Sequence, residues 1–356
     1  MFTILSNNTH SRAELTNYGT IRNIHYGDVL IKFGNILDTS QAEIPYLCEN
    51  CKYKDEYMQD GDIIIADTAE DYTAGKCTEL FNVGTSKIIS GLHTIPCRPK
   101  IKFAQKYLGY YTNSPAYRHQ LLSLLQGIKV YSISKTNLSN THVSYPPLPE
   151  QQKIADFLSL VDQRIEKQRQ LIESLKKYKR GALSRVFNDV LETVKLSDIS
   201  NFISSTRTLS TTLNSNKGIY PVYDAAGIAG YIDHYDIDSD YITIVKDGSG
   251  VGRLQKCDKK SSFIGTLGAL VAKNCTTDFL YAVLQTIDFS KFVTGMAIPH
   301  IYYRDYKSNL LPFPSEEKQR AISQFFKKFD KCIENETQKL SNMLKYKQGL
   351  LQQIFI

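Results

Sequence analysis

Two stretches of the chain repeat one spacing of apolar side chains. In the first, Ile154, Leu158, Val161, Ile165, Ile172 and Leu175 follow in alternating steps of four and three, with Gln168 in the one polar place. In the second, Ile322, Phe326, Phe329, Ile333, Leu340 and Met343 do the same, and Glu336 takes the polar place. That spacing keeps one stripe of a helix on a partner helix, as in the seam of a coiled coil. Each stretch predicts a helix of at least roughly 22–25 residues, about 33–38 Å at 1.5 Å per residue. A polar break at the same seam position in both favours the two helices packing on each other. Elsewhere the apolar runs are short. Asp62-Ile63-Ile64-Ile65-Ala66 and Tyr241-Ile242-Thr243-Ile244-Val245 are β-branched runs bounded by Gly or Asp and read as strands. Gln105–Tyr111 and Asp278–Thr286 read as short helices.

The likeness of the two stretches extends to identities. At a constant offset of 168, Pro146 matches Pro314, Gln151 matches Gln319, Ile154 matches Ile322, and Asp162 matches Asp330. Lys177-Tyr178-Lys179 matches Lys345-Tyr346-Lys347, and Gly181, Leu183 and Phe187 match Gly349, Leu351 and Phe355. The register runs back through Gly127 with Gly295 and Ile133 with Ile301. With four residues gapped it reaches Tyr107-Leu108 with Phe279-Leu280, and then the halves diverge. A period this long is a duplicated domain pair rather than a solenoid. The expected fold is mixed α/β. Two similar globular bodies, 1–145 and 191–311, alternate with two helical segments, 146–190 and 312–356. Pairing the helices antiparallel would put the bodies at opposite ends of one rod.

With 42% hydrophobic and 22% charged residues, the chain is a folded protein rather than a disordered one. No apolar run approaches the ~18–20 residues of a membrane helix. The first residues, Met1 to Asn8, lack the basic and apolar regions of a signal peptide, so a cytoplasmic location is expected. The net charge is +7, and six of those charges fall in the two helical segments, +3 in each; the bodies carry +1 and 0. Any anion-binding face on a body must therefore come from local clustering.

Catalytic patterns are missing. There is no phosphate-binding loop, no methyltransferase Asn-Pro-Pro-Tyr-like motif and no nuclease carboxylate–lysine cluster. Asp247-Gly248-Ser249-Gly250-Val251-Gly252 leads into Arg253-Leu254-Gln255-Lys256, which reads as a strand-to-strand turn and not a dinucleotide fingerprint. Cys48-x-x-Cys51 could open a zinc site, with Cys77 and Cys97 as distant candidates. It has no second close pair, so no metal is expected and all seven cysteines read as ordinary thiols. What the bodies do carry is clustered hydroxyl and basic side chains able to reach phosphates and base edges. These are Thr73, Lys76, Ser86, Lys87, Arg98, Lys100 and Lys102 in the first body. In the second they are Ser249, Arg253, Lys256, Lys259, Lys260 and Ser261. Two like bodies held apart can read two half-sites on one duplex.

The run from Pro146-Pro147-Leu148-Pro149-Glu150-Gln151-Gln152-Lys153-Ile154-Ala155 to Lys179-Arg180-Gly181-Ala182-Leu183 resembles the conserved region of specificity subunits of type I restriction–modification systems. Lys195-Leu196-Ser197-Asp198-Ile199 looks like the opening of their second target recognition domain, and the segment from Asn7 to Leu30 is also similar. The resemblance implies that each body reads half of a bipartite site on double-stranded DNA. It implies helices that set the gap and dock two modification subunits. Those subunits bind S-adenosylmethionine and methylate adenine; restriction subunits add ATP- and Mg-dependent cleavage, and this chain binds no cofactor itself. Two departures stand out. The Lys195–Ile199 opening has no counterpart near Met1, so the first domain is expected to be short there or built differently. Glu316-Glu317-Lys318 replaces Leu148-Pro149-Glu150, so the two docking surfaces should differ. The unlike bodies suggest an asymmetric target. Two other readings fit the residues: the recognition subunit of a different modification system, and a non-catalytic coiled-coil scaffold that binds proteins.

Overall fold

The structure is a computed structural model that describes residues 1–214, 218–295 and 297–355. The chain forms two compact units, residues 1–169 with 339–356, and residues 170–338. Each unit is one body together with a part of each long helix.

The first unit is built on a five-stranded sheet of β1 (Phe2–Ile4), β2 (Ile36–Asp38), β3 (Ile63–Ala66), β4 (Cys77–Phe81) and β5 (Thr94–Pro99), in the order β1-β5-β3-β4-β2. Every residue of β3 is buried. Strand alternation sends Ile63 and Ile65 into one core, with Tyr107, Tyr110 and Leu121. Ile64 goes into another, with Ile24, Leu37 and Met58. A smaller sheet of Leu15–Thr16, Tyr46–Leu47, Ile21–Ile24 and Lys87–Ser90 lies in the same unit.

The second unit has the sheet β6 (Ser200–Ser204), β7 (Tyr241–Val245), β8 (Leu254–Cys257) and β9 (Leu267–Ala272), in the order β6-β9-β7-β8. This reproduces β1-β5-β3-β4, with antiparallel neighbours throughout. Ile242 and Ile244 again face one core, and Tyr241 and Val245 another. Each body thus carries its own sheet of the same strand order across the stretch where their sequences show no common register.

Helix α1 (Leu148–Asn188) has 41 residues and α2 (Glu316–Ile354) has 39. Both are longer than the apolar seam predicts. The seam continues through Lys179 and Lys347, whose charge hides it from a hydrophobicity pattern, to Leu183, Phe187, Leu351 and Phe355, which are buried against the bodies. All twelve apolar seam residues are buried or half-buried. In the first unit Ala155 and Leu158 share a core with Leu351 and Phe355. There Asp162 pairs with Lys347 at 2.6 Å. In the second unit Leu183, Phe187 and Phe326 share a core, and Lys179 pairs with Asp330 at 2.5 Å. Advancing along α1 means retreating along α2 in each unit, so the pairing within each is antiparallel. The two ion pairs occupy equivalent places of the repeat. Gln151 and Gln319 are buried at the helix starts, their amides donating to the Pro146 and Pro314 carbonyls at 2.7 and 2.8 Å. That contact explains the Pro–Gln spacing.

No helix among the described residues is long and apolar enough to cross a membrane. Cys48 and Cys51, which the sequence reads as ordinary thiols, are joined by a disulfide. The two residues sit on a tight turn, where the Cys51 N–H donates to the Cys48 carbonyl.

Glu79 on β4 is buried and accepts backbone N–H bonds from Lys106 at 2.6 Å and Gly109 at 2.7 Å. Burial outweighs those bonds and pushes its carboxyl up to about 7. A carboxyl raised on folding favours the native state below its ordinary value, near 4.5, and that advantage is lost as pH rises to about 7. The expected result is a melting midpoint that falls between pH 5 and 7 in the native sequence and falls less in Glu79→Gln. Parallel thermal melts of the two proteins check it; equal slopes would overturn it.

Candidate nucleic-acid interface

Strands β3 and β7 end alike. After Ala66 the chain runs out through 67–74 and returns at Gly75, whose N–H donates to the Ala66 carbonyl at 2.8 Å. After Val245 it runs out through 246–251 and returns at Gly252, whose N–H donates to the Val245 carbonyl at 2.8 Å. Both glycines have φ of +84°, the left-handed region that side chains disfavour.

A second loop lies beside each of these. Gln126 and Ser132 exchange two backbone hydrogen bonds, of 2.9 and 2.8 Å, around Gly127. Thr294 and His300 exchange two of 2.8 Å around Gly295. The loops are tied to the strand ends by equivalent bonds, Ile133 N–H to the Asp67 carbonyl and Ile301 N–H to the Lys246 carbonyl. Gly127 and Gly295 have positive φ, and a Cβ on them would lie 1.8 Å from the Val130 oxygen and 2.4 Å from the Ile298 oxygen.

Each body therefore presents a pair of loops at one end of its sheet. The first pair displays Tyr72, Thr73, Ile128, Lys129 and Val130, with the Tyr72 ring 4.5 Å from Tyr131. The second displays Ser249, Arg253, Ile298 and His300, and the Arg304 guanidinium lies 4.7 Å over the Tyr302 ring nearby. The tips are apolar and open: Ile128 is 92% exposed and Ile298 66%. Apolar tips beside hydroxyl, imidazole and guanidinium groups supply the contacts a duplex offers, from thymine methyls to base edges and phosphates.

The residues singled out from the sequence divide between the two ends of the sheets. Thr73, Lys76, Ser249 and Arg253 lie at the paired-loop end. Ser86, Lys87, Arg98, Lys100, Lys102, Lys256, Lys259, Lys260 and Ser261 lie towards the opposite end, as the register of Ile63 with Cys97 and Glu79, of Tyr241 with Cys257 and of Ile242 with Lys256 requires.

Arg253 stays exposed, although its guanidinium donates to the Ala225 carbonyl at 2.7 Å; four others are buried or half-buried, held inside the fold, and leave the candidate surface. Lys76 is half-buried, which lowers its pKa, and donates to the Leu30 carbonyl at 2.7 Å. Arg98 forks onto Asp62 at 2.9 and 2.7 Å and also reaches the Tyr57 carbonyl. Lys256 donates to Asp278 at 2.7 Å, close to the Tyr281 ring. Ser261 is buried, with its hydroxyl 2.5 Å from the Asp258 carbonyl. Clustering in sequence counts charges; whether a carboxylate distant in the chain, such as Asp62 or Asp278, compensates them is a tertiary fact. The sequence reading missed the loop tips at 128–130 and 297–300. Their signal was the pairing of Gly127 with Gly295 and Ile133 with Ile301.

A family model described as the type I restriction modification DNA specificity domain matches residues 1–177 and 188–346. Two putative type I specificity subunits of Mycoplasma pneumoniae are similar. One is 28% identical over 159 residues, which cover 42% of this chain and 52% of the relative. The other is 28% identical over 199 residues, covering 53% of this chain and 83% of the relative. The first match thus spans about half the length of that relative. Among solved structures, the S subunit of a type I restriction–modification system from M. genitalium has a TM-score of 0.56 at 16% identity, over 100% of this chain and 94% of its own. A structure describing assembly and conformational transition of a type I system has a TM-score of 0.55 at 17% identity, over 90% of each chain.

Proposed function

The chain belongs to the type I restriction–modification DNA specificity family, and from that premise we propose that its two bodies read the two halves of one asymmetric, bipartite duplex target. The observation that carries this reading is the loop pair repeated on both bodies with the same glycine geometry and different exposed side chains. Equal scaffolds give equal modes of approach; unlike tips give unlike half-sites. The test is selection of duplexes from a random library by this chain assembled with its modification subunits. Two separated blocks of unlike sequence are expected. A single block, or two copies of one block, would overturn the reading.

In the same reading the long helices fix the gap between half-sites and dock two modification subunits. Matching exposed positions on the two helices support this. Phe157 and Phe325 are both exposed, as are Tyr178 and Tyr346. One turn beyond each tyrosine stands a helix-interior glycine, Gly181 and Gly349, with nothing outside its own stretch of helix backbone within 4 Å of where its Cβ would lie. Glycine there costs helix stability, about 0.5–1 kcal/mol relative to alanine, so its presence twice fits close approach by another chain. Gly181→Ala and Gly349→Ala should each raise the unfolding free energy of the isolated chain by about that amount and weaken capture of the modification subunits. Chemical denaturation and co-purification measure the two effects. A stabilised variant that assembles as tightly as the native chain would remove the glycines from the docking surface.

The chain contributes no catalytic group in this scheme. S-adenosylmethionine belongs to the modification subunits, and ATP with Mg to the restriction subunits, acting on DNA in the cytoplasm.

A further inference from the structure

We propose that His10, Glu14, Cys48 and Cys51 bind one zinc ion when the cysteine pair is reduced. The strand pairing brings them together: Leu15 lies opposite Leu47, and the Cys48 N–H donates to the Glu14 carbonyl at 3.2 Å. One ligand atom each from His10, Glu14 and Cys51 lie within 4.8 Å of one another, and Cys48 Sγ is bonded to Cys51 Sγ. Two thiolates, one imidazole and one carboxylate are the donor types of a four-coordinate zinc site.

The surroundings orient these donors as ligands. His10 Nε2 lies 2.8 Å from the Lys52 carbonyl, which can only accept, so Nε2 carries the proton. Nδ1 lies 2.8 Å from the Glu14 Oε1, so in the metal-free chain Nδ1 also carries a proton and donates it to the carboxylate. Without that proton two acceptors face each other and need another cation, such as a metal, between them. The other Glu14 oxygen accepts from the Ser11 N–H at 2.8 Å and hydroxyl at 3.0 Å, which fixes the carboxylate. A histidine whose second nitrogen donates to a backbone carbonyl, and a carboxylate held by further donors, are typical supports of a metal ligand.

The chemistry balances simply. A thiol or phosphine reductant converts the disulfide into two thiols and is itself oxidised. Zinc then replaces both thiol protons and the proton shared by His10 Nδ1 and Glu14; all three leave to solvent, and the freed imidazole nitrogen supplies its lone pair. The ion would tie residues 10–14 to the 48–52 turn and so set the exposed Lys52-Tyr53-Lys54 run that follows.

The test uses the full chain, reduced with a phosphine, freed of metal with a chelator, and titrated with cobalt(II) as the probe. One equivalent should produce thiolate-to-cobalt charge transfer and the intense visible bands of a tetrahedral ion, both removed by zinc. The air-oxidised chain should show neither. Cys48→Ser with Cys51→Ser should abolish the bands, and His10→Ala should weaken cobalt binding at least about 10-fold. Melting of each metal-free variant beside the reduced native chain separates lost ligands from lost fold. Absence of the bands in the reduced native chain overturns the proposal, as does their survival in the double serine variant or in the oxidised chain.

Discussion

Removing one heptad from each long helix, Lys167–Glu173 and Glu336–Asn342, should shorten the gap in the DNA target and leave both half-site sequences intact. Both deletions lie between the Asp162–Lys347 and Lys179–Asp330 pairs, so each unit keeps its facing residues. Seven residues are two turns of a seam with a 3.5-residue period, so the apolar stripe stays in phase. The helices lose about 10 Å at 1.5 Å per residue, or roughly three base pairs at 3.4 Å each. Binding should also weaken, because three base pairs turn the duplex through about a third of its 10–10.5 base-pair repeat. Mapping methylated adenines made by the reassembled complex reads the gap directly. An unchanged gap, or new bases within the half-sites of a folded complex, would show that the helices do not measure DNA.

Gly295→Val should abolish reading of one half-site and spare the other, and Gly127→Val should do the converse. The substituted Cβ meets the Ile298 or Val130 carbonyl, and φ at both positions disfavours a side chain, so the loop must open. Each mismatched base pair ordinarily costs about 1–3 kcal/mol, so loss of a whole half-site should lower affinity for the target at least about 100-fold. Binding to duplexes scrambled in one half at a time identifies which body has failed. The milder Ile298→Ala and Ile128→Ala remove only exposed tips and should relax base preference in the same half without changing the melting midpoint. Equal loss at both half-sites from either glycine variant would mean that the loops do not act separately.

These expectations rest unequally on sequence and structure. The alternating steps from Ile154 to Leu175 and from Ile322 to Met343 are a local property, because a helix turns once in about 3.6 residues and steps of four and three keep a stripe close to one face. The duplication, the two bodies and the paired helices were therefore legible in the chain, and the family with them. The β3 and β7 runs were legible as strands for the same reason: four and five buried apolar or β-branched residues leave little else for them to be.

Contacts between distant positions were not legible. The shared order of the two sheets survives in bodies whose sequences have diverged, because a strand needs only buried residues on both faces, not particular ones. Arg98 and Lys256 look like free cations until the fold brings Asp62 and Asp278 to them. Lys179 and Lys347 break the apolar pattern, and only the antiparallel register gives them Asp330 and Asp162. His10 lies 41 residues before Cys51, and no spacing rule joins them; the pairing of Leu15 with Leu47 does. Periodicity fixes which face of an element is buried. Which charge meets which, and which glycine turns a loop outward, is decided by neighbours that arrive only when the sheets close.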